Sequence, residues 1–91
     1  IEKVSDTVFT IEGTAPLDEV AKLLGMVVPD DVEYDTIGGF LIGQLERIPE
    51  ADEHPEVIFD YVKFTVLSME ERRIAEIRAE KLPRPQEPEE S

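Results

Sequence analysis

The chain contains no cysteine and a single histidine, His54. Without cysteine, the sequence excludes disulfides, zinc–thiolate sites and thiol nucleophiles. A nucleophile also needs an adjacent base, and no serine lies in a motif that supplies one. The sequence therefore predicts that the protein is not an enzyme, and it assigns no catalytic residue, no metal site and no cofactor. No apolar run approaches the roughly 20 residues that span a bilayer, so no direct membrane insertion of this segment is expected.

Basic residues are also scarce, because 9 Lys and Arg stand against 22 Asp and Glu, for a formal net charge of −13. A field of that sign repels a phosphate backbone and anionic lipid headgroups. Nucleic acid is therefore excluded as an expected partner. The length of 91 residues and the 41% hydrophobic content predict one domain with a modest core. Because the first residue is Ile1 rather than methionine, we interpret the chain as part of a longer protein.

The first half of the chain predicts one strand and two helices. Val8–Glu12 alternates as a strand that ends at Gly13, and Leu17–Leu24 forms an amphipathic helix followed by Gly25 at its C′ position. A second helix is predicted from about Thr36 to Arg47. Its N-cap is expected at Asp35 and its end at Pro49.

Three glycines lie inside this second helix, at positions 38, 39 and 43. Each glycine costs about 0.5–1 kcal/mol relative to alanine in a helix interior, so a structural use is expected. Because Gly39 and Gly43 are four residues apart, they expose one strip of helix backbone. We expect a sheet to pack closely against that strip.

The second half changes to an extended pattern after Pro55. Strands are predicted at Glu56–Phe59, from Val62 to about Val66, and at Arg73–Ala79, with turns at Asp60–Tyr61 and Met69–Arg72. Ile74 and Ile77 are three residues apart, which indicates either a β-bulge or a helix. The predicted fold is an α+β sandwich, with about four mostly antiparallel strands and two helices on one face. The domain is expected over residues 1–81, and the acidic, proline-rich residues 82–91 are expected to form a disordered tail.

Three segments resemble the CorC/HlyC transporter-associated domain. The first is Phe9-Thr10-Ile11-Glu12-Gly13 with Leu17-Asp18-Glu19-Val20 and Leu24-Gly25. The most specific is Tyr34-Asp35-Thr36-Ile37-Gly38-Gly39-Phe40, continued by Leu45-Glu46-Arg47-Ile48-Pro49. The third is Val62-Lys63-Phe64-Thr65-Val66-Leu67 with Arg72-Arg73-Ile74 and Ile77. One departure is Asp52, which stands where members of this family usually have the glycine of a Pro-x-x-Gly turn.

The resemblance implies a role beside a membrane transporter. Such domains lie after a pair of CBS domains in CorC-type magnesium and cobalt efflux proteins and in hemolysin-related proteins, and their fold is similar to a small FAD-binding domain. The resemblance therefore implies a non-catalytic, cytoplasmic regulatory domain of an inner (plasma) membrane ion transporter, modulating divalent cation transport. Its expected partners are the CBS pair and the transmembrane domain, with a homodimer as a further possibility. The alternative is a sensory module that binds a nucleotide or flavin between sheet and helix.

Four groups of residues are candidate sites. The acidic run of Asp30, Asp31, Glu33 and Asp35 could hold a hard cation such as Mg²⁺, but its spacing matches no EF-hand, so a solvated loop is favoured. His54 lies among carboxylates and could respond to pH, although a lone surface histidine without a function is favoured. The Gly38–Gly39 pair could offer backbone N–H groups to an anion, although close packing is favoured. Tyr34 and Tyr61 could mark an interface or lie at the rim of the core.

Overall fold

The computed structural model describes residues 1–29, 34–50 and 52–83. In chain order the elements are β1 (Glu2–Lys3), β2 (Val8–Glu12), α1 (Leu17–Leu24), α2 (Ile37–Leu45), β3 (Glu56–Phe59), β4 (Val62–Glu70) and β5 (Arg73–Lys81). The strands form one sheet of order β1-β2-β5-β4-β3, in which every neighbouring pair is antiparallel. The α+β prediction is confirmed, with five strands instead of four. The additional strand, β1, is two charged residues long and carries no hydrophobic pattern.

The sheet has one covered face and one open face. Side chains of alternate residues on β2, β4 and β5 are buried and meet across the register, as in the row Phe9, Ala79 and Phe64. Both helices contribute to the same core. The intervening residues of these strands, such as Thr10, Arg78 and Thr65, are half-buried or exposed. This alternation is the pattern of an antiparallel sheet that is packed on one side only.

Helix α1 has the predicted limits. Its buried residues are Leu17, Val20, Ala21 and Leu24, which share one face. Gly25 is left-handed, with φ of 72°, and its N–H donates to the carbonyl of Ala21. The predicted C′ glycine is therefore confirmed, since this backbone conformation strongly favours glycine.

Helix α2 begins and ends differently from the prediction. Thr36, not Asp35, is the N-cap, and its hydroxyl accepts from the Gly39 N–H at 3.1 Å. The helix ends at Leu45, because the next residue, Glu46, is left-handed with φ of 60°. Glu46 lies three residues before Pro49, where the helix is expected to stop. Asp35 contributes its backbone carbonyl instead, which accepts from the Leu17 N–H at 3.0 Å. The two helix N-termini are thus connected through the backbone.

The close helix–strand contact is at Gly38 rather than at Gly39 and Gly43. A Cβ at Gly38 would lie 2.8 Å from the Gly13 carbonyl oxygen, and a Cβ at Gly13 would overlap the Ile74 carbonyl. A Cβ at Gly43 would instead overlap the Tyr34 hydroxyl. The prediction that a sheet packs on the Gly39–Gly43 strip is therefore wrong, because the Tyr34 ring covers it.

A β-bulge explains the three-residue spacing of Ile74 and Ile77. Val66 pairs with Ile77 and Met69 pairs with Ile74, with irregular register between them at Ser68. The offset lets both isoleucines be buried, each with 2% or less of its surface exposed. Of the two alternatives predicted for this segment, the structure therefore shows the bulge.

The two predicted hairpin turns are present. Asp60 and Tyr61 have φ of 51° and 64°, as a two-residue type I′ turn requires. Strand β4 continues to Glu70, one residue beyond the expected start of the second turn, where Glu71 has φ of 59°. The sheet-like bonding extends to Leu82, whose N–H donates to the Tyr61 carbonyl at 2.8 Å. Residues 84–91 of the predicted tail lie outside the described residues, so the boundary at residue 81 stays a prediction.

Neither of the two helices within these described ranges has the length and apolar character needed to cross a membrane.

The Gly38→Ala substitution should destabilise the domain by about 1–3 kcal/mol, because its Cβ meets backbone that cannot move independently. Gly39→Ala is the matched control, since its Cβ would lie 3.3 Å from the Thr36 hydroxyl and 3.8 Å from a Tyr34 ring atom. We expect Gly39→Ala to change stability by less than about 1 kcal/mol, since alanine favours the helix. Urea unfolding of both variants measures the difference, and equal midpoints would contradict the proposed backbone contact.

Candidate functional site

The N-terminus of α2 carries the Gly38–Gly39 pair, the candidate anion site. The Ile37 N–H donates to the Ala15 carbonyl at 3.0 Å, and the Gly38 N–H donates to the Gly13 carbonyl at 2.9 Å. The Gly39 N–H is capped by Thr36. All three N–H groups of the first turn are therefore bonded within the domain, whereas an anion site needs such groups to point at the ligand. The geometry favours close packing over anion binding.

A cavity of about 250 Å³ lies beside this helix end, between the segment after β2 and the start of β5. Its polar side chains are Thr14, Thr36 and Arg73. The other lining residues are Gly13, Gly38, Gly39, Ile42 and Ile74. The volume is below the roughly 300–1,000 Å³ of pockets that enclose drug-sized ligands. The groove predicted between sheet and helix therefore exists, but it is small for a nucleotide or a flavin.

The acidic run is only partly within the described part of the chain. Asp30, Asp31 and Glu33 lie outside it, and Asp35 is exposed. Among residues 1–29, 34–50 and 52–83, no three carboxylates or imidazoles lie close enough together to hold a metal ion. No cation site is assigned to the described residues.

His54 completes the sheet at the start of β3. The Val66 N–H donates to the Pro55 carbonyl at 3.0 Å, but Pro55 has no N–H to return the bond. The His54 ring lies 3.0 Å from the Val66 carbonyl through Nδ1, which must donate because its partner is an acceptor. The histidine side chain therefore replaces the ladder donor that proline lacks. A response of His54 to pH stays a prediction.

The loop between α2 and β3 is held by a bidentate ion pair. Arg47 donates from Nη1 and Nη2 to the two carboxylate oxygens of Glu53, at 2.7 and 3.1 Å, and Glu53 also accepts from the Glu50 N–H at 2.8 Å. The hydrogen bond from Arg47, followed by that from Glu50, lowers the pKa of Glu53 from its ordinary value of 4.5. The same pair raises the pKa of Arg47. Asp52 lies exposed in this loop, where the Glu53 N–H closes a turn onto the Glu50 carbonyl at 3.0 Å.

The two tyrosines occupy different places. Tyr34 lies two residues before the N-cap of α2, and its ring is edge-on to Phe40 at a centroid distance of 6.1 Å. Phe40 in turn contacts Phe59 on β3 at 5.0 Å. Tyr61 lies in the hairpin turn between β3 and β4. Tyr34 is thus a residue of the core rim, and Tyr61 lies at one end of the sheet.

The β3 edge, defined as the side of Glu56–Phe59 that faces away from β4, contains none of the candidate site residues named from the sequence. It is one of the two ends of the sheet, and Ile58 on it is 64% exposed. The opposite edge is the two-residue β1. Pro55 immediately before an alternating run was the available signal, because proline within a sheet is confined to edges and strand starts.

The comparisons with known proteins agree with this fold. Residues 2–83 match the model of the family CorC_HlyC, the transporter associated domain. The polyamine export protein of Haemophilus influenzae is 35% identical over 68 residues, which is 74% of this chain and 15% of that protein. The chain therefore spans a small fraction of that relative's length.

Two solved structures superpose on the chain. A hemolysin domain from Enterococcus faecalis is 28% identical, with a TM-score of 0.79 over 90% of this chain and 96% of that one. A region described as associated with the Mg²⁺ and Co²⁺ transporter CorC, from Neisseria meningitidis, is 27% identical, with a TM-score of 0.77 over 90% and 98%. The resemblance predicted from the sequence is confirmed.

The Arg47–Glu53 pair should make stability depend on pH in one direction. The pKa of Glu53 is lower in the folded state, so the pair stabilises the fold above the unfolded-state pKa near 4.5 and loses this contribution as pH falls through the folded value. We expect Glu53→Gln to lower the urea midpoint at pH 7 and to have a smaller effect at about pH 3. Glu70→Gln, at the last residue of β4, is the control. An equal effect of Glu53→Gln at both pH values would contradict the assignment.

Proposed function

The chain belongs to the CorC_HlyC transporter-associated domain family, and we propose that it is a non-catalytic, cytoplasmic accessory domain that regulates a membrane cation transporter by contact with other parts of the same protein. One observation carries the proposal. The backbone N–H groups in the first turn of α2 are all bonded internally, while Ile58 on the edge strand β3 is 64% exposed. The first turn of α2 therefore has no free N–H group for a small ligand, whereas the exposed edge of the sheet suits contact with a protein.

The names of similar proteins support a transport context. One relative is a polyamine export protein, and one similar structure is described as a region associated with a Mg²⁺ and Co²⁺ transporter. Polyamines and divalent metals are both cations, so we infer a cation as the transported species. The inferred partners are the CBS pair and the transmembrane domain of the parent protein.

The alternative is a sensory module that binds a nucleotide or flavin. The observation in its favour is the cavity beside α2, where the Arg73 guanidinium and the hydroxyls of Thr14 and Thr36 line the same space. Its volume and the bonded state of the neighbouring N–H groups favour the accessory role instead. Calorimetric titration of the domain with FAD and ATP separates the two, and heat that disappears in Arg73→Ala would support the sensory module.

Removal of this domain from the parent transporter should change the rate of cation transport without abolishing it, since the domain supplies no part of the transport path. Flux into membrane vesicles measures the change, with the amount of inserted protein as the control. Unaltered flux at every cation concentration would contradict a regulatory role.

Weak self-association is part of the proposal and should strengthen with salt. Two copies with a net charge of −13 repel one another, and ions screen that repulsion within about 10 Å at 0.1 M salt. Sedimentation equilibrium at low and high salt measures the shift. A strict monomer under both conditions would leave contact with other domains as the mode of action.

A further inference from the structure

We propose that the β3 edge pairs with the β3 edge of a second copy of this chain, antiparallel about a two-fold axis at Val57, joining two five-stranded sheets. The inference rests on the proposed function, in which the domain acts through contacts, and it identifies one such surface and its register. Three observations carry it: the direction of the backbone groups, the exposure of Ile58 and the charges along the strand.

The hydrogen-bonding groups of alternate β3 residues point away from the sheet. The Val66 N–H donates to the Pro55 carbonyl, so Pro55 bonds toward β4. Val57 and Phe59 lie two and four residues further along, so their backbone groups also bond toward β4. The two-residue turn agrees with this, since such hairpins close with a hydrogen-bonded pair, here Phe59 and Val62. The N–H and carbonyl groups of Glu56 and Ile58 therefore face outward. Apart from the ladders of the sheet itself, no backbone hydrogen bond within the described ranges reaches them.

The side chains of this edge suit burial against a similar strand. Ile58 is 64% exposed on the open face of the sheet, and Val57 is half-buried on the covered face. The charge of Glu56 is partly compensated by Lys63, whose Nζ lies 3.5 Å from the carboxylate. An exposed edge of this kind is a template for another strand. The opposite edge, β1, is two charged residues long and offers no comparable length.

The charges select one register. Two antiparallel arrangements bring outward-facing groups together and pair three residues of each β3, one centred on Ile58 and one on Val57. The Ile58-centred arrangement places Glu56 opposite Asp60 twice, and like charges opposite one another are destabilising. The Val57-centred arrangement places Glu56 opposite Ile58 and His54 opposite Asp60. The Val57-centred arrangement therefore avoids this repulsion, and about its two-fold axis each strand presents the same residues to the other.

The interface is short, which predicts weak association of the isolated domain. Three paired residues of each β3 bury much less than the roughly 1,200 Å² of a stable protein interface. Attachment to a larger protein changes this, because tethered copies meet at millimolar effective concentrations for short flexible linkers. The pairing therefore forms when the parent protein holds two copies close together.

Single cysteines test the register without interference, because the chain has none of its own. In the proposed arrangement the two Val57 Cα atoms form a non-bonded pair about 4.5 Å apart, within the range of a disulfide. The two Ile58 Cα atoms are offset by two residues along the strands and are more than about 7 Å apart, beyond that range. We expect Val57→Cys to form oxidised dimers at least about tenfold faster than Ile58→Cys.

Two controls identify the cause of cross-linking. Glu19→Cys, exposed on α1, reports random collision. Ile58→Pro in the Val57→Cys background removes an outward N–H without removing a bond to β4, so the domain should stay folded by circular dichroism and lose its cross-link. A Val57→Cys rate equal to that of Glu19→Cys, faster cross-linking of Ile58→Cys, or cross-linking that survives Ile58→Pro would each overturn the proposal.

The parent protein, with its other cysteines replaced, extends the test. A disulfide between two copies of Val57→Cys supports pairing. Capture by a cysteine placed in another domain, with no dimer, overturns it in favour of a different strand on the same edge. If the dimer is absent while removal of the domain still alters flux, the pairing is wrong and the accessory role stands.

Discussion

The backbone contact between Gly38 and Gly13 is the constraint on which the arrangement of this domain depends. It brings the first turn of α2 against the end of β2, and the Gly13 site in turn lies against the Ile74 carbonyl on β5. This approach turns Ile37 and Phe40 into the core, where each has 1% or less of its surface exposed. No side chain larger than hydrogen fits between the two backbones, so glycine is required there by space rather than by dihedral angle.

The same contact decides what the site can do. Because the first-turn N–H groups of α2 bond to Gly13, Ala15 and Thr36, the helix end that would otherwise attract an anion is already satisfied. The chemistry that remains available is at the periphery, in side chains and in the unpaired backbone of the β3 edge. Pro55 and Glu56 limit how readily this edge pairs with other strands. The His54 side chain supplies the hydrogen bond to Val66 that Pro55 cannot donate.

Much of the fold could be predicted from the sequence, because strand alternation, helix periodicity and glycine at a helix end are local signals. The limits of α1 and β3 follow from them. What could not be predicted depends on contacts between distant segments. Asp35 and Thr36 are both good N-caps, and only the bonding of Asp35 to Leu17 decides between them. Likewise, the spacing of glycines shows a bare strip of helix, but not that Tyr34 covers it. The role of His54 depends on Val66, twelve residues away in the chain.

Under the proposed function, the domain can shift a transporter between conformations only through contacts that differ in free energy between them. A large, permanent interface would be present in every conformation, so it would not change their relative free energies. A short edge strand is better suited, because its weak pairing responds steeply to the distance at which the parent protein holds two copies. The acidic surface acts in the same direction, since repulsion between copies keeps the unpaired state populated unless they are brought together. Under the proposed pairing, the short β3 and the net charge of −13 together make dimer formation depend on how closely the parent protein holds the two copies.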